Sequence, residues 1–244
     1  PVDTVTPGSG VSAYFVHPWD DGLIGITYRT SGGGIYFLEI DDSLDEVFLD
    51  ALGVGGLLGV VNDGVETVFM LDGDGIWSFS RDGGYLTGPI PVTGLGAIAY
   101  PAVARLDGGD LLVTCQVEVG GSIKGLRARF QPDLSMIFQD APIDPVWPDG
   151  TSTFNRVAPM ADGGYVTTFT LGEQRAFRFN ADDTPAHDPD VIVNQWTTGF
   201  QRRGTPVQLT GGDVLVAWES DEMPAGTQTD IGARIVALEE LDSN

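Results

Sequence analysis

The sequence predicts an all-β chain of repeated four-stranded antiparallel sheets. Three observations predict it. Turn formers are abundant, with 34 glycines and 15 prolines in 244 residues. Short apolar strands are broken by glycine turns. Similar segments recur along the whole chain, which is the signature of a repeat architecture.

Three segments are most alike: 101–130, 155–179 and 205–236. Each holds a short apolar strand, a glycine turn, a second strand, a polar gap and a third strand. The turns are Asp107-Gly108-Gly109, Asp162-Gly163-Gly164 and Thr210-Gly211-Gly212. Glycine supplies the positive φ of a tight hairpin, and Asp can hydrogen-bond the turn backbone. Two earlier segments fit the same frame, with the turns Asp20-Asp21-Gly22 and Asn62-Asp63-Gly64. With the last glycine of each turn as a marker, the markers fall 42, 45, 55 and 48 residues apart, and the return through the chain ends takes 54. Five units therefore use up the chain.

Six residues past the markers stand Tyr28, Met70, Cys115, Thr170 and Trp218, and four past stand Ile26, Val68, Val113, Thr168 and Val216. Alternate residues of a strand share a face, so such columns should share an environment. Third strands follow at 35–40, 76–79, 126–130, 176–179 and 231–236, and fourth strands at 46–49, 90–92, 135–138 and 191–193. The fifth unit lacks a fourth strand, since Ala237 to Asn244 is acidic and carries no strand pattern. Val2 to Thr6 is β-branched and alternating, and we expect it to serve as that missing strand, closing the ring and removing an exposed edge. The prediction is an all-β, single-domain five-bladed β-propeller over residues 1–244, with blades near 12–50, 56–93, 100–139, 154–194 and 204–241 plus 2–6.

The run Pro101-Ala102-Val103-Ala104-Arg105-Leu106-Asp107-Gly108-Gly109, with Thr205-Pro206 and Val214 to Trp218, resembles a repeat of bacterial surface and secreted β-propeller proteins, including adhesins. The resemblance covers three units well and two poorly. It implies propeller strands and surface display, and it carries no catalytic residue.

The chain has 12 Lys+Arg against 35 Asp+Glu, a formal charge of -23. That field repels phosphate backbones and anionic lipid, so neither nucleic acid nor membrane insertion is expected. The acidic surface fits a hydrated, extracellular setting. A start at Pro1 fits signal cleavage, removal of an initiator Met or a cut from a longer chain, and Met removal would suit display on a virus particle. The lone Cys115 excludes an internal disulfide and is expected to be buried and inert.

In a propeller, one face carries the turns between strands one and two. The other carries the two-to-three loops and the crossings between units. The crossings are the richer face here: Trp147 leads to Asn155 and Arg156, and Trp196 leads to Phe200, Arg202 and Arg203. Trp and Arg are enriched at recognition hot spots. These seven residues form the candidate ligand site, in which aromatic faces stack and Arg or Asn side chains orient. The competing reading is that the Trp residues cap the core and the Arg residues pair with carboxylates. Trp77 and Trp218 are expected in the core, with Trp19 in a turn on the opposite face.

Five-bladed glycoside hydrolases share the predicted architecture and need a pair of carboxylates. The predicted axial strands contain no Asp or Glu, and the acids nearest the rich face are Glu118, Glu173 and Glu219, read as loop residues. No catalytic site is therefore assigned, and no cofactor is required. Asp72-Gly73-Asp74-Gly75 resembles the start of a calcium loop without its twelfth-position carboxylate, so Asp72 and Asp74 are the calcium candidates, and a hairpin turn explains them equally well. The expected function is a non-catalytic binding or adhesion module on a cell or virion surface, recognising a glycan or protein receptor. The alternatives are a structural subunit of a larger virion or surface assembly and a glycoside hydrolase.

Overall fold

The computed structural model describes residues 11–30, 35–40, 46–51, 59–71, 75–82, 84–92, 99–119, 122–139, 153–171, 173–186, 191–194, 201–220 and 230–242. Their strands form five antiparallel sheets in chain order. The first holds β1 (Val11–Pro18), β2 (Ile24–Thr30), β3 (Ile35–Ile40) and β4 (Glu46–Ala51). The second holds β5 (Gly59–Asn62), β6 (Thr67–Leu71), β7 (Ile76–Ser80) and β8 (Tyr85–Ile90). The third holds β9 (Ala99–Arg105), β10 (Leu111–Val119), β11 (Ser122–Phe130) and β12 (Met136–Gln139). The fourth holds β13 (Thr153–Pro159), β14 (Tyr165–Leu171), β15 (Glu173–Phe179) and β16 (Val191–Ile192). The fifth holds β17 (Gln201–Gln208), β18 (Val214–Ser220) and β19 (Asp230–Val236), followed by helix α1 (Leu238–Asp242). Each strand pairs with its sequence neighbour, the architecture of a five-bladed β-propeller. Val2 to Thr6, the expected closing strand, lies outside the described residues.

Three expectations about the repeat need correction. The fourth strand of the second sheet is β8, not 90–92: Phe79 faces Tyr85 and Ile76 faces Ile90, so Ile90 ends the strand that it was expected to begin. The marker glycine of the fourth unit is off by one. Gly22, Gly109, Gly163 and Gly212 each donate to the carbonyl three residues back. Phe169, not Thr170, therefore shares a column with Tyr28, Cys115 and Trp218. In the second sheet the Asp63 N–H bonds Thr67 O, as Trp19 N–H bonds Leu23 O in the first, so Gly64 stands where Asp20 does. Apolar alternation alone tolerates such slips, because a shift is visible only in the ladder.

Helix α1 also escaped the sequence reading. Glu240 turns back to accept from Ala237 N–H at 3.2 Å, and Asp213 accepts from Leu238 N–H at 3.1 Å. Both satisfy N–H groups that a helix start leaves open. Leu241 is fully buried in the core that α1 covers.

The chain falls into two compact units: Pro1–Gly94 with Pro132–Leu134, and Leu95–Gln131 with Ser135–Asn244. Within the first, Trp19, Ile35, Phe37, Val60, Val68, Met70 and Phe79 pack between the two sheets. Trp19 is therefore a core residue of the turn, and Trp77 packs against its cluster half-buried. Arg81 lies over the Trp19 ring at 4.5 Å, bonds Asp21 at 2.8 Å and bonds Glu39. The Arg81 hydrogen bond holds the Asp21 carboxyl below its ordinary range.

Within the second unit, first strands lie side by side, β9 with β13 and β13 with β17. Leu106, Leu112, Tyr165, Phe169, Phe177 and Phe179 fill the space between the third and fourth sheets. Arg127 lies over Phe179 at 4.0 Å and donates to Tyr165 Oη at 2.6 Å. Arg129 bridges Asp110 at 2.9 Å and Asp183 at 3.0 Å, which belong to neighbouring sheets. The scarce cations of this acidic chain thus clamp sheet to sheet.

Large side chains lie over glycines on the facing strand. His17 opposes Gly25 and Trp218 opposes Gly232. A Cβ at Gly25 would stand 2.3 Å from His17 Cε1, and one at Gly232 would stand 2.5 Å from Trp218 Cε2. His17 is 5% exposed. Asn62 Nδ2 donates to its Nδ1 at 3.0 Å, so the proton sits on Nε2, which donates to Thr27 Oγ1 at 3.1 Å. Burial lowers its pKa from 6.5 to about 4.

Candidate functional site

The crossing end of the second unit combines irregular backbone with buried amides. First strands lose their register where they begin. The ladder shifts between Thr153 and Arg156 in β13, between Arg202 and Thr205 in β17, and opposite Ala99–Ala102 in β9. Bulges of this kind re-aim side chains and gather beside functional sites.

Gln174 organises the site from β15, and none of its surface is exposed. Its Oε1 accepts from Gly204 N–H at 3.1 Å and from Thr170 Oγ1 at 3.3 Å. Its Nε2 donates to Phe169 O at 3.0 Å. Asn194 Oδ1 accepts from its backbone N–H at 2.6 Å, and Thr168 Oγ1 donates to Gly204 O. Both backbone polar groups of Gly204 are thus held by side chains of the neighbouring sheet. Gly204 permits this because a Cβ there would stand 2.2 Å from Gln174 Cδ. Beside it, Trp218 Nε1 donates to Gln201 Oε1 at 2.6 Å, and Gln201 Nε2 donates to Ser220 Oγ at 2.8 Å. Buried polar networks with every partner in place rigidify what they touch.

Four of the seven expected site residues sit on these two strands: Asn155 and Arg156 on β13, Arg202 and Arg203 on β17. They share neighbouring bulged strand ends. Of the four, only Arg156 has a described side chain, half-buried and engaged by a partner. Trp147, Trp196 and Phe200 lie outside the described residues, as do Asp72 and Asp74. Among the described residues no group of three His, Cys, Asp or Glu side chains could hold a metal ion.

The acids read as loop residues belong to strands. Glu118 is in β10, opposite Ile123, and Glu219 is in β18, opposite Ile231. Glu173 opens β15 and pairs with Arg175 at 2.9 Å. The two-to-three hairpins of the third and fourth sheets are tighter than expected, so the ladder reaches Glu118 and Glu173, and in the fifth sheet the ladder runs on past Glu219 to Ser220 opposite Asp230. The first strands β1, β5, β9, β13 and β17 carry no Asp or Glu.

The sequence reading missed Gln174, Asn194, Gln201 and Gly204. The signal was a glycine inside a strand, Gln201-Arg202-Arg203-Gly204-Thr205, which marks a bulge or a close backbone approach. The described part of this end is a fixed amide floor of Gln174, Asn194 and Gln201, on elements whose neighbouring strand ends carry Asn155, Arg156, Arg202 and Arg203 in sequence.

No protein-family model matches the chain, and no curated protein matches it in sequence. Solved structures match it in fold. A protein of unknown function from Dyadobacter fermentans aligns at TM-score 0.65 and 13% identity, over 96% of this chain and 81% of that one. The BP39L lectin of Burkholderia pseudomallei aligns at TM-score 0.56 and 12% identity, over 94% and 70%. The Dos1 propeller aligns at TM-score 0.54 and 11% identity, over 92% and 55%. A polysaccharide lyase and a GH43 glycoside hydrolase share the likeness. At these identities the comparisons show the β-propeller fold alone; the similar chains include a lectin, enzymes and proteins of unknown function.

Proposed function

We propose that the chain is a non-catalytic binding module whose crossing face, around β13 and β17, recognises a glycan or protein receptor. The observation that carries the reading is the brace on Gly204. Both of its backbone polar groups are held from the neighbouring sheet, immediately beside Arg202 and Arg203. A strand whose backbone is tied down in this way has little backbone ordering left to do on binding, which favours affinity. The lectin among the structural neighbours is consistent with a sugar ligand. The acid-rich composition supports display on a cell or virion surface.

The test is a glycan array probed with the purified chain, with and without calcium, followed by Trp147→Ala, Trp196→Ala and Arg202→Gln. Saturable binding to one sugar class that weakens at least about tenfold in these variants is expected. Binding that all three leave unchanged would remove the crossing face. Turnover of chromogenic glycosides, abolished in Glu173→Gln or Glu219→Gln, would replace the reading with an enzymatic one.

A further inference from the structure

At the opposite ends of the same first strands, the turns after β9 and β13 and the last residue of β17 frame an open groove of about 460 Å³. That volume lies in the range of small-molecule sites. All of its lining belongs to the second unit.

Arg105, the last residue of β9, lines this groove half-buried. It makes no hydrogen bond or ion pair among the described residues. Other arginines of the chain are engaged: Arg81, Arg129, Arg175, Arg178 and Arg234 each hold a carboxylate. Asp107, on the same lining, is exposed and also lacks an ion pair among the described residues. Asp162, in the turn of the next sheet, is used structurally, accepting from Gly164 N–H at 2.9 Å and holding Arg178. Gln208 completes the polar set. Its Oε1 accepts from Ala161 N–H at 2.7 Å, while its Nε2 reaches Gly212 O only at 3.5 Å, the outer limit of a hydrogen bond. Exposed Pro159 and Ala161 supply apolar contact.

These groups define a ligand. An uncommitted guanidinium matches a carboxylate through two parallel hydrogen bonds. An uncommitted carboxylate beside it accepts from a hydroxyl, and the loosely held amide donates to an ether or hydroxyl oxygen. The charge of -23 on the whole chain opposes each further negative charge on a ligand, so a monoanion is favoured over a polyanion. We propose that this groove binds a small monocarboxylate rich in hydroxyl groups, the chemistry of a uronic-acid residue, with Arg105 on the carboxylate, Asp107 on a hydroxyl and Gln208 on an oxygen acceptor. The site is independent of the crossing face and stands or falls separately from it.

The test is a calorimetric or NMR titration of the full chain with sodium D-glucuronate, with sodium acetate and D-glucose as the two half-ligands. Saturable glucuronate binding is expected, weaker at high salt, with acetate and glucose each at least about tenfold weaker. Arg105→Gln should weaken glucuronate about tenfold or more and leave the melting temperature unchanged, because Arg105 has no partner among the described residues to lose. Asp107→Asn should weaken glucuronate but not acetate. Absence of saturation, equal binding of glucose, or unchanged binding by Arg105→Gln would overturn the proposal. A fall in the melting temperature of Arg105→Gln would overturn it too, by making that residue structural.

Discussion

Acid should unfold this protein through His17 before it does so through the carboxylates. The ring stacks on Phe37 with centroids 5.7 Å apart and meets Trp19 edge-on at 5.9 Å. Its Nδ1 already accepts from Asn62. A second proton would desolvate a charge in the core and set two donors face to face. Burial lowers the pKa from 6.5 to about 4, so the unfolded chain takes up this proton first and acid favours unfolding. Full stability is present above about pH 6.5 and is lost as the pH falls toward 4. The gap corresponds to roughly 3 kcal/mol in total, of which about 2 kcal/mol is gone by pH 5. The carboxylates Asp21, Asp63, Asp82 and Asp182, held below their ordinary 3.8, contribute only at lower pH. Protonation of other surface acids relieves self-repulsion and works in the opposite direction. The assay is therefore a difference: urea unfolding at pH 7, 6 and 5 for the wild type and for His17→Gln, whose amide can accept from Asn62 and donate to Thr27 without titrating. Wild type should lose about 2 kcal/mol more than the variant between pH 7 and 5. Equal losses would refute the reasoning.

Other consequences follow from the same contacts. Gly204→Ala drives a Cβ into buried Gln174 and should cost about 2 kcal/mol in urea unfolding, with any crossing-face binding weakened alongside. Gln201→Leu strips the acceptor from Trp218 Nε1 and should cost about 1–3 kcal/mol, read as a lower urea midpoint at unchanged slope. Burial pushes the Cys115 thiol up to about 12, so a chromogenic disulfide reagent at pH 8 should label native protein negligibly and urea-unfolded protein stoichiometrically.

The fold was legible because its repeat is written in turns. Gly22, Gly64, Gly109, Gly163 and Gly212 all adopt positive φ, a conformation only glycine takes cheaply. Such positions stand out in a sequence without any knowledge of what they pack against. Cys115 was legible for a similar reason, since its column of apolar residues placed it inside. Helix α1 was not, because its stability comes from buried Leu241 and from caps supplied by Asp213 and Glu240 rather than from local pattern. The strand position of Glu118, Glu173 and Glu219 depends on hairpin length, which polar residues do not encode. The amide floor was hidden too, because Gln174 and Gln201 look like solvated polar residues until the neighbouring sheet is present. Of the candidate site, the sequence located the strand ends, and packing supplied what holds them.

The register shifts at the start of β1, β9, β13 and β17 recur in sheet after sheet at the same end. They uncouple two halves of each of these four sheets. Beyond the shift, hydrogen bonds fix every residue to a neighbour, and an inserted residue would turn side chains inside out. Before it, the connecting chain can lengthen or shorten without passing the change into the ladder. The uneven spacing of the repeats, from 43 to 54 residues between the equivalent turn positions 22, 66, 109, 163 and 212, is what such an arrangement permits. The starts of these first strands are in this sense free to diversify while their turn ends are held, and segments exchanged there between repeats or between relatives should change any binding at those ends before they change whether the chain folds.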